Sequence, residues 1–141
     1  MLNEDIIRLY HHLAGCIELE KENFSLAKEQ FEKALYLETY GPLARDARLL
    51  NSLAKTYFQS GDLEKAIREY ELIVNLTTGR REAGDIYAKS FYMFGKIHEQ
   101  QGNTAKAIEN YEKFLDLWKD ADPGIAEVED AKKRLTGLKG P

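Results

Sequence analysis

The chain has a single cysteine, Cys16, among its 141 residues, so no internal disulfide can form and a reducing, cytoplasmic setting is expected. It also lacks any run near the roughly 18 consecutive apolar residues that a membrane helix needs. No basic segment followed by an apolar block marks a secretory leader. Excess positive charge is missing too: 20 Lys and Arg against 24 Asp and Glu leave a formal charge of -4, which argues against nucleic acid as the main partner. Nor is there a nucleophile elbow, a phosphate loop or a zinc-protease spacing, and with apolar residues committed to packing no pocket chemistry is left. An enzyme is not expected. No cofactor is implied.

What is present is a repeat. Glu22-Asn23-Phe24-Ser25-Leu26-Ala27, Gly61-Asp62-Leu63-Glu64-Lys65-Ala66 and Gly102-Asn103-Thr104-Ala105-Lys106-Ala107 are versions of one stretch. Four residues after the alanines stand Phe31, Tyr70 and Tyr111, and twelve before them stand Gly15, Ala54 and Gly95. Four residues is one helical turn. Small residues at these points let two helix backbones approach closely while the aromatic fills the space beside them. Each unit is therefore a helical hairpin.

The same residues resemble the tetratricopeptide repeat, with small-x2-large spacing on a first helix and Ala-x3-aromatic on a second. Leu50, Leu53, Ala54 and Tyr57 with Ala66 and Tyr70 carry the likeness in the second copy; Phe91, Phe94, Gly95 and His98 with Ala107 and Tyr111 carry it in the third. His11, Ala14, Gly15 and Glu18 form a degenerate first copy. The alanines lie 39 and 41 residues apart, beyond the family's roughly 34. The extra residues are expected between hairpins, around 40–42 and 78–82, and the proline that usually closes the unit is replaced by Thr39 and Thr78.

The fold implied is an all-α, right-handed α-solenoid of three such hairpins plus a C-terminal capping helix, in one domain over 1–141. The repeats are expected at about 4–39, 42–77 and 81–119, and the cap at about 123–136. Asn3 is the first helix's N-cap, Asn23 that of the second, and Asp62 that of the fourth; the third helix is expected from about Pro42. Asp122 and Pro123 open the cap, whose Glu127, Glu129, Asp130, Lys132, Lys133 and Arg134 read as a solvated face, and Trp118 is placed beneath it. The last three residues read as a tail. The closing segment 111–138 also resembles the ends of repeat regions in large bacterial multidomain signalling proteins, which implies a fragment or free-standing relative of such a region.

In this family first helices line a concave surface that holds a partner protein or peptide. Carried onto this chain, the groove positions are Leu9, His12, Cys16 and Leu19; Arg48, Asn51, Lys55 and Phe58; and Lys89, Tyr92, Lys96 and Glu99. The last two sets form a basic strip in an acidic chain, which implies an acidic peptide steered by Arg48, Lys55, Lys89 and Lys96, its backbone held by Asn51 and its apolar contact supplied by Phe58 and Tyr92. The family's two-carboxylate clamp corresponds to His12, Cys16, Ser52, Lys89 and Met93. Only Lys89 has the expected type, so chaperone C-terminal tails are poor candidates. His12 and Cys16 are one turn apart, but a zinc site needs three or four ligands, and no metal is expected. Ile6, Ile7, Leu9 and Tyr10 leave the first helix apolar where a terminal repeat should be polar. Homo-oligomerisation through the N-terminal hairpin is the alternative that this implies.

Overall fold

The computed structural model describes residues 3–39, 46–76, 84–120 and 124–140. They form seven helices: α1 (Glu4–Glu20), α2 (Phe24–Thr39), α3 (Ala47–Gln59), α4 (Leu63–Asn75), α5 (Gly84–Gln100), α6 (Thr104–Leu117) and α7 (Ala126–Lys139). The fold is all-helical, of the α-solenoid class. Helices pair as α1 with α2, α3 with α4 and α5 with α6, the three hairpins that the repeat implies. Two compact units result, within Met1–Leu76 and Thr77–Pro141. In the first, α3 packs on α2 and α1; in the second, α7 packs on α6 and α5.

Each hairpin closes on the same contact. Ala27, Ala66 and Ala107 are fully buried, as are Phe31, Tyr70 and Tyr111. A Cβ added to Gly15 would lie 2.5 Å from Phe31 Cε1, and one added to Gly95 would lie 2.5 Å from Tyr111 Cε1. Those rings take the volume that a side chain would need. The second hairpin admits Ala54, itself fully buried, at the corresponding place.

The turns between paired helices are equally regular. Ser60 ends α3, Gly61 takes φ +84°, and the Asp62 carboxylate accepts from Lys65 N. Gly102 at φ +74° and Asn103, which accepts from Lys106 N, repeat the arrangement. The first copy has Glu22 at this point, with φ +60°. A non-glycine residue in the left-handed region is held there by the hairpin around it.

Several boundaries differ from expectation. α3 starts at Ala47 because the Asp46 side chain accepts from Arg48 N at 2.9 Å and so caps the helix; Pro42 lies outside the described residues. α5 starts at Gly84. The last helix runs three residues further than expected, to Lys139, whose ammonium reaches Glu112 of α6 at 2.5 Å. Lys139 is therefore helical and not part of a tail. Ile125 occupies the N-cap position without a side-chain cap, after Gly124 at φ +93°, while Asp122 and Pro123 lie outside the described residues.

Glycine relieves left-handed strain worth about 1–2 kcal/mol and loses part of that gain to a more flexible unfolded chain. Glu22→Gly is therefore expected to stabilise the protein by about 0.5–1 kcal/mol, read as a higher urea midpoint at unchanged slope.

Candidate functional site

The groove residues divide between the two units. On α3, Arg48 and Lys55 are exposed while Asn51 and Phe58 are half-buried. The Arg48 guanidinium lies 3.5 Å from Asp46, with three quarters of its side chain in solvent. Phe58 and Tyr57 are adjacent but differ in role: Tyr57 is buried, with Lys28 and Lys65 ammonium groups 5.8 and 5.5 Å from its ring centre. Burial, then the carboxylates of Glu32, Glu69 and Asp62, push its phenol up to about 12. It stays protonated.

On α5 the corresponding residues face α7. Tyr92, expected to supply open apolar contact, is only 8% exposed, and its hydroxyl donates to Asp130 Oδ2 at 2.6 Å. Lys89 pairs with Glu127 at 3.5 Å and lies 5.8 Å from the Trp118 ring centre. Lys96 sits 5.5 Å over the Tyr92 ring. Trp118 itself ends α6, tilted against Phe114. Glu127 and Asp130 are thus engaged by α5 and are not simply a solvated face.

A polar chain ties these helices together. Tyr111 donates to Glu99 at 2.7 Å, Arg134 spans Glu99 at 3.2 Å and Asp130 at 2.6 Å, and Asp130 receives Tyr92. Burial raises the Asp130 carboxyl, but the bonds from Tyr92 and Arg134 outweigh it and leave the group below its ordinary value. Burial and Asp130 push Tyr92 well up, and burial and Glu99 do the same to Tyr111. Both phenols are therefore fixed donors, and Asp130 is a fixed acceptor.

The first hairpin repeats this logic with different chemistry. His12 and Tyr92 each stand three residues before the glycine of their hairpin. His12 Nε2 lies 3.0 Å from Ser52 Oγ on α3, and its ring meets Phe31 edge-on at 5.8 Å. The position that lines the family's groove here also bonds to the next first-type helix. Burial lowers the His12 pKa; Asp46 raises it, while Arg48 and Arg8 lower it further. Of the clamp positions, Ser52 is held by His12 and by the Arg48 carbonyl, and Lys89 by Glu127. Among the described residues no cluster of three or more His, Cys, Asp or Glu could hold a metal ion. No helix among them is long and apolar enough to cross a membrane.

Sequence reasoning missed Asp130 and Arg134 as partners of the α5 face. The signal was present in their spacing, four residues apart on one helical face, but only contact with α5 distinguishes that from a solvated pair.

Residues 45–120 match the model of the tetratricopeptide repeat, and residues 7–39 match a second model of it. The chain belongs to the tetratricopeptide-repeat family, and as such is a protein-interaction module. Among its relatives is the heat shock protein sti1 homolog of Schizosaccharomyces pombe, 30% identical over 114 residues that make up 81% of this chain and 18% of that protein. Among solved structures, the TPR2AB-domain:pHSP90 complex of yeast Sti1 aligns with a TM-score of 0.73 and 24% identity, over 96% of this chain and 50% of that one. The chain spans less than a fifth of the first and half of the second. Both are eukaryotic proteins, and neither carries the likeness to bacterial signalling regions that was expected of the closing segment.

Replacing Arg134 by Met leaves Glu99 and Asp130 as partly buried carboxylates without their cation. A loss of about 1–3 kcal/mol is expected, with faster amide exchange concentrated in α7 and changed Trp118 emission. For His12 the folded pKa lies below its ordinary 6.5, so the neutral ring's contribution is complete above that value and is lost as pH falls through the lowered one. Stability measured at about pH 7.5 and about pH 5 should fall more in the native chain than in His12→Gln.

Proposed function

We propose that the chain, read as one domain of three repeats and α7, is a scaffold that binds an acidic peptide or protein segment through residues of its first-type helices. Arg48 and Lys55 steer the carboxylates, Asn51 bonds the backbone, and Phe58 supplies apolar contact. Lys89, Tyr92 and Lys96 offer related chemistry on α5, where α7 already engages Lys89 and covers Tyr92. The observation that carries this reading is internal to the chain: the residue types proposed to hold an acidic segment already engage one, since Lys89 pairs with Glu127 and Tyr92 bonds Asp130 of a helix. The relatives support a protein or peptide as the partner, one of them having been solved in complex with pHSP90. Four mismatches at the five clamp positions argue for a different acidic segment from a chaperone tail. One half-buried thiol, Cys16, suits the cytoplasm.

A second reading, homo-oligomerisation through the first hairpin, is favoured by the exposed apolar residues of α1: Ile6, Leu9, Tyr10, Leu13 and Ile17 are each at least 55% exposed.

Capture from lysate separates the native chain from an Arg48→Glu, Lys55→Glu variant, whose changes lie at exposed positions and should preserve helicity. The partner is expected on the native chain alone, held more weakly as salt rises. Equal capture by both would move binding off this strip. A chaperone C-terminal tail peptide, titrated in parallel, is expected to bind neither.

A further inference from the structure

Ile6, Tyr10, Leu13 and Ile17 recur at intervals of four, three and four residues and form one stripe along α1. Their exposures are 55%, 65%, 55% and 55%, and Leu9 beside them is 56% exposed. The repeat register shows what such a face is for. Thirty-nine residues on, Tyr10, Leu13 and Ile17 become Leu49, Ser52 and Thr56, and eighty residues on they become Ser90, Met93 and Ile97. Leu49 and Thr56 are 2% and 0% exposed, Ser90 and Ile97 are 1% and 0%, and Ser52 bonds His12 of the preceding hairpin. The first copy alone places large apolar side chains at all three positions and leaves them in solvent.

We propose that this stripe is a two-fold interface in which α1 of one copy packs antiparallel on α1 of a second. The inference rests on the self-assembly reading and is independent of the groove. An antiparallel pair centred between Tyr10 and Leu13 sets Ile6 against the second copy's Ile17 and Tyr10 against its Leu13, so each apolar side chain meets an apolar one. The same centring sets Asn3 against Glu20, whereas a parallel pair would set Glu20 against Glu20. Antiparallel packing also sets the two helix dipoles head to tail, which favours the pair.

Area supports a second copy as well. Five side chains at these exposures offer on the order of 600 Å² per copy, or about 1,200 Å² for a pair, above the roughly 1,000 Å² that a specific interface needs. A patch of that size is at the upper end of what a monomer ordinarily leaves in water. Head-to-tail stacking would need a different apolar mate elsewhere on the chain. Among the described residues α7 presents exposed Lys132, Lys133 and Thr136, and the other large exposed apolar residues, Leu26, Tyr36 and Leu72, are scattered over α2 and α4. A self-complementary contact needs only the one face.

The test is sedimentation equilibrium of the full chain from about 1 to 500 µM, with Leu13→Glu as the variant and far-UV dichroism to confirm its helicity. Leu13 is exposed, so the variant should fold. A dimer that the variant weakens by about a hundredfold or more is expected, since the change buries two carboxylates at the centre of the pair. A native chain that stays monomeric overturns both the interface and the self-assembly reading. A dimer that Leu13→Glu leaves intact places assembly on another face and overturns the interface alone. Register is read by cross-linking in a Cys16→Ser background. Chains carrying Ile6→Cys should form a disulfide with chains carrying Ile17→Cys, and Ile6→Cys chains should not pair among themselves; the reverse result would overturn the antiparallel arrangement.

Discussion

The close approach of two helix backbones beside one aromatic ring underlies the whole chain. Gly15 with Phe31, Ala54 with Tyr70 and Gly95 with Tyr111 are buried to the last few square ångströms, and at both glycines a single added carbon would meet the ring at 2.5 Å. Close-packed interiors tolerate such volume changes poorly. Because the contact fixes the distance and rotation of each helical pair, it also fixes which residues of α1, α3 and α5 point away from the second helix. Every candidate for partner binding is drawn from those residues.

Outward residues have two uses, and the structure separates them. One is to bond a helix that follows in the chain, as His12 of α1 does with Ser52 of α3 and Tyr92 of α5 with Asp130 of α7. The other is to face solvent, as Arg48 and Lys55 do. The two cannot be combined in one side chain at one time, so the α7 helix reduces what α5 can offer while demonstrating the chemistry that α5 favours. α7 buries little, Ala131 being its one fully covered residue, and its hold on α5 comes through the chain of hydrogen bonds from Tyr111 to Tyr92. Such a network is strong only when complete.

The repeat, its three hairpins and the helix caps at Asn3 and Asp62 were legible because they depend on local chemistry: a side chain accepting from its own backbone, or a residue four positions away on the same helix. The start of α3 was not legible at Pro42, because Asp46 caps it four residues later. Nor was the end of α7, which Lys139 and Glu112 extend through a contact between residues 27 apart. The positive φ of Glu22 could be inferred only by trusting the alignment with Gly61 and Gly102 over the residue's own preference.

The family, the three hairpins and the small-residue and aromatic contacts at their core follow from periodicity and from residues that meet near neighbours in the chain, so the amino-acid order alone carries them. Tertiary structure alone decided how the outward positions are used. Tyr92 and Arg48 occupy the same kind of helix face and look alike as candidates in a list of groove residues. One is covered because a helix 38 residues away supplies Asp130, and the other stands in water. No local pattern distinguishes them, because the difference lies in what the chain places opposite each.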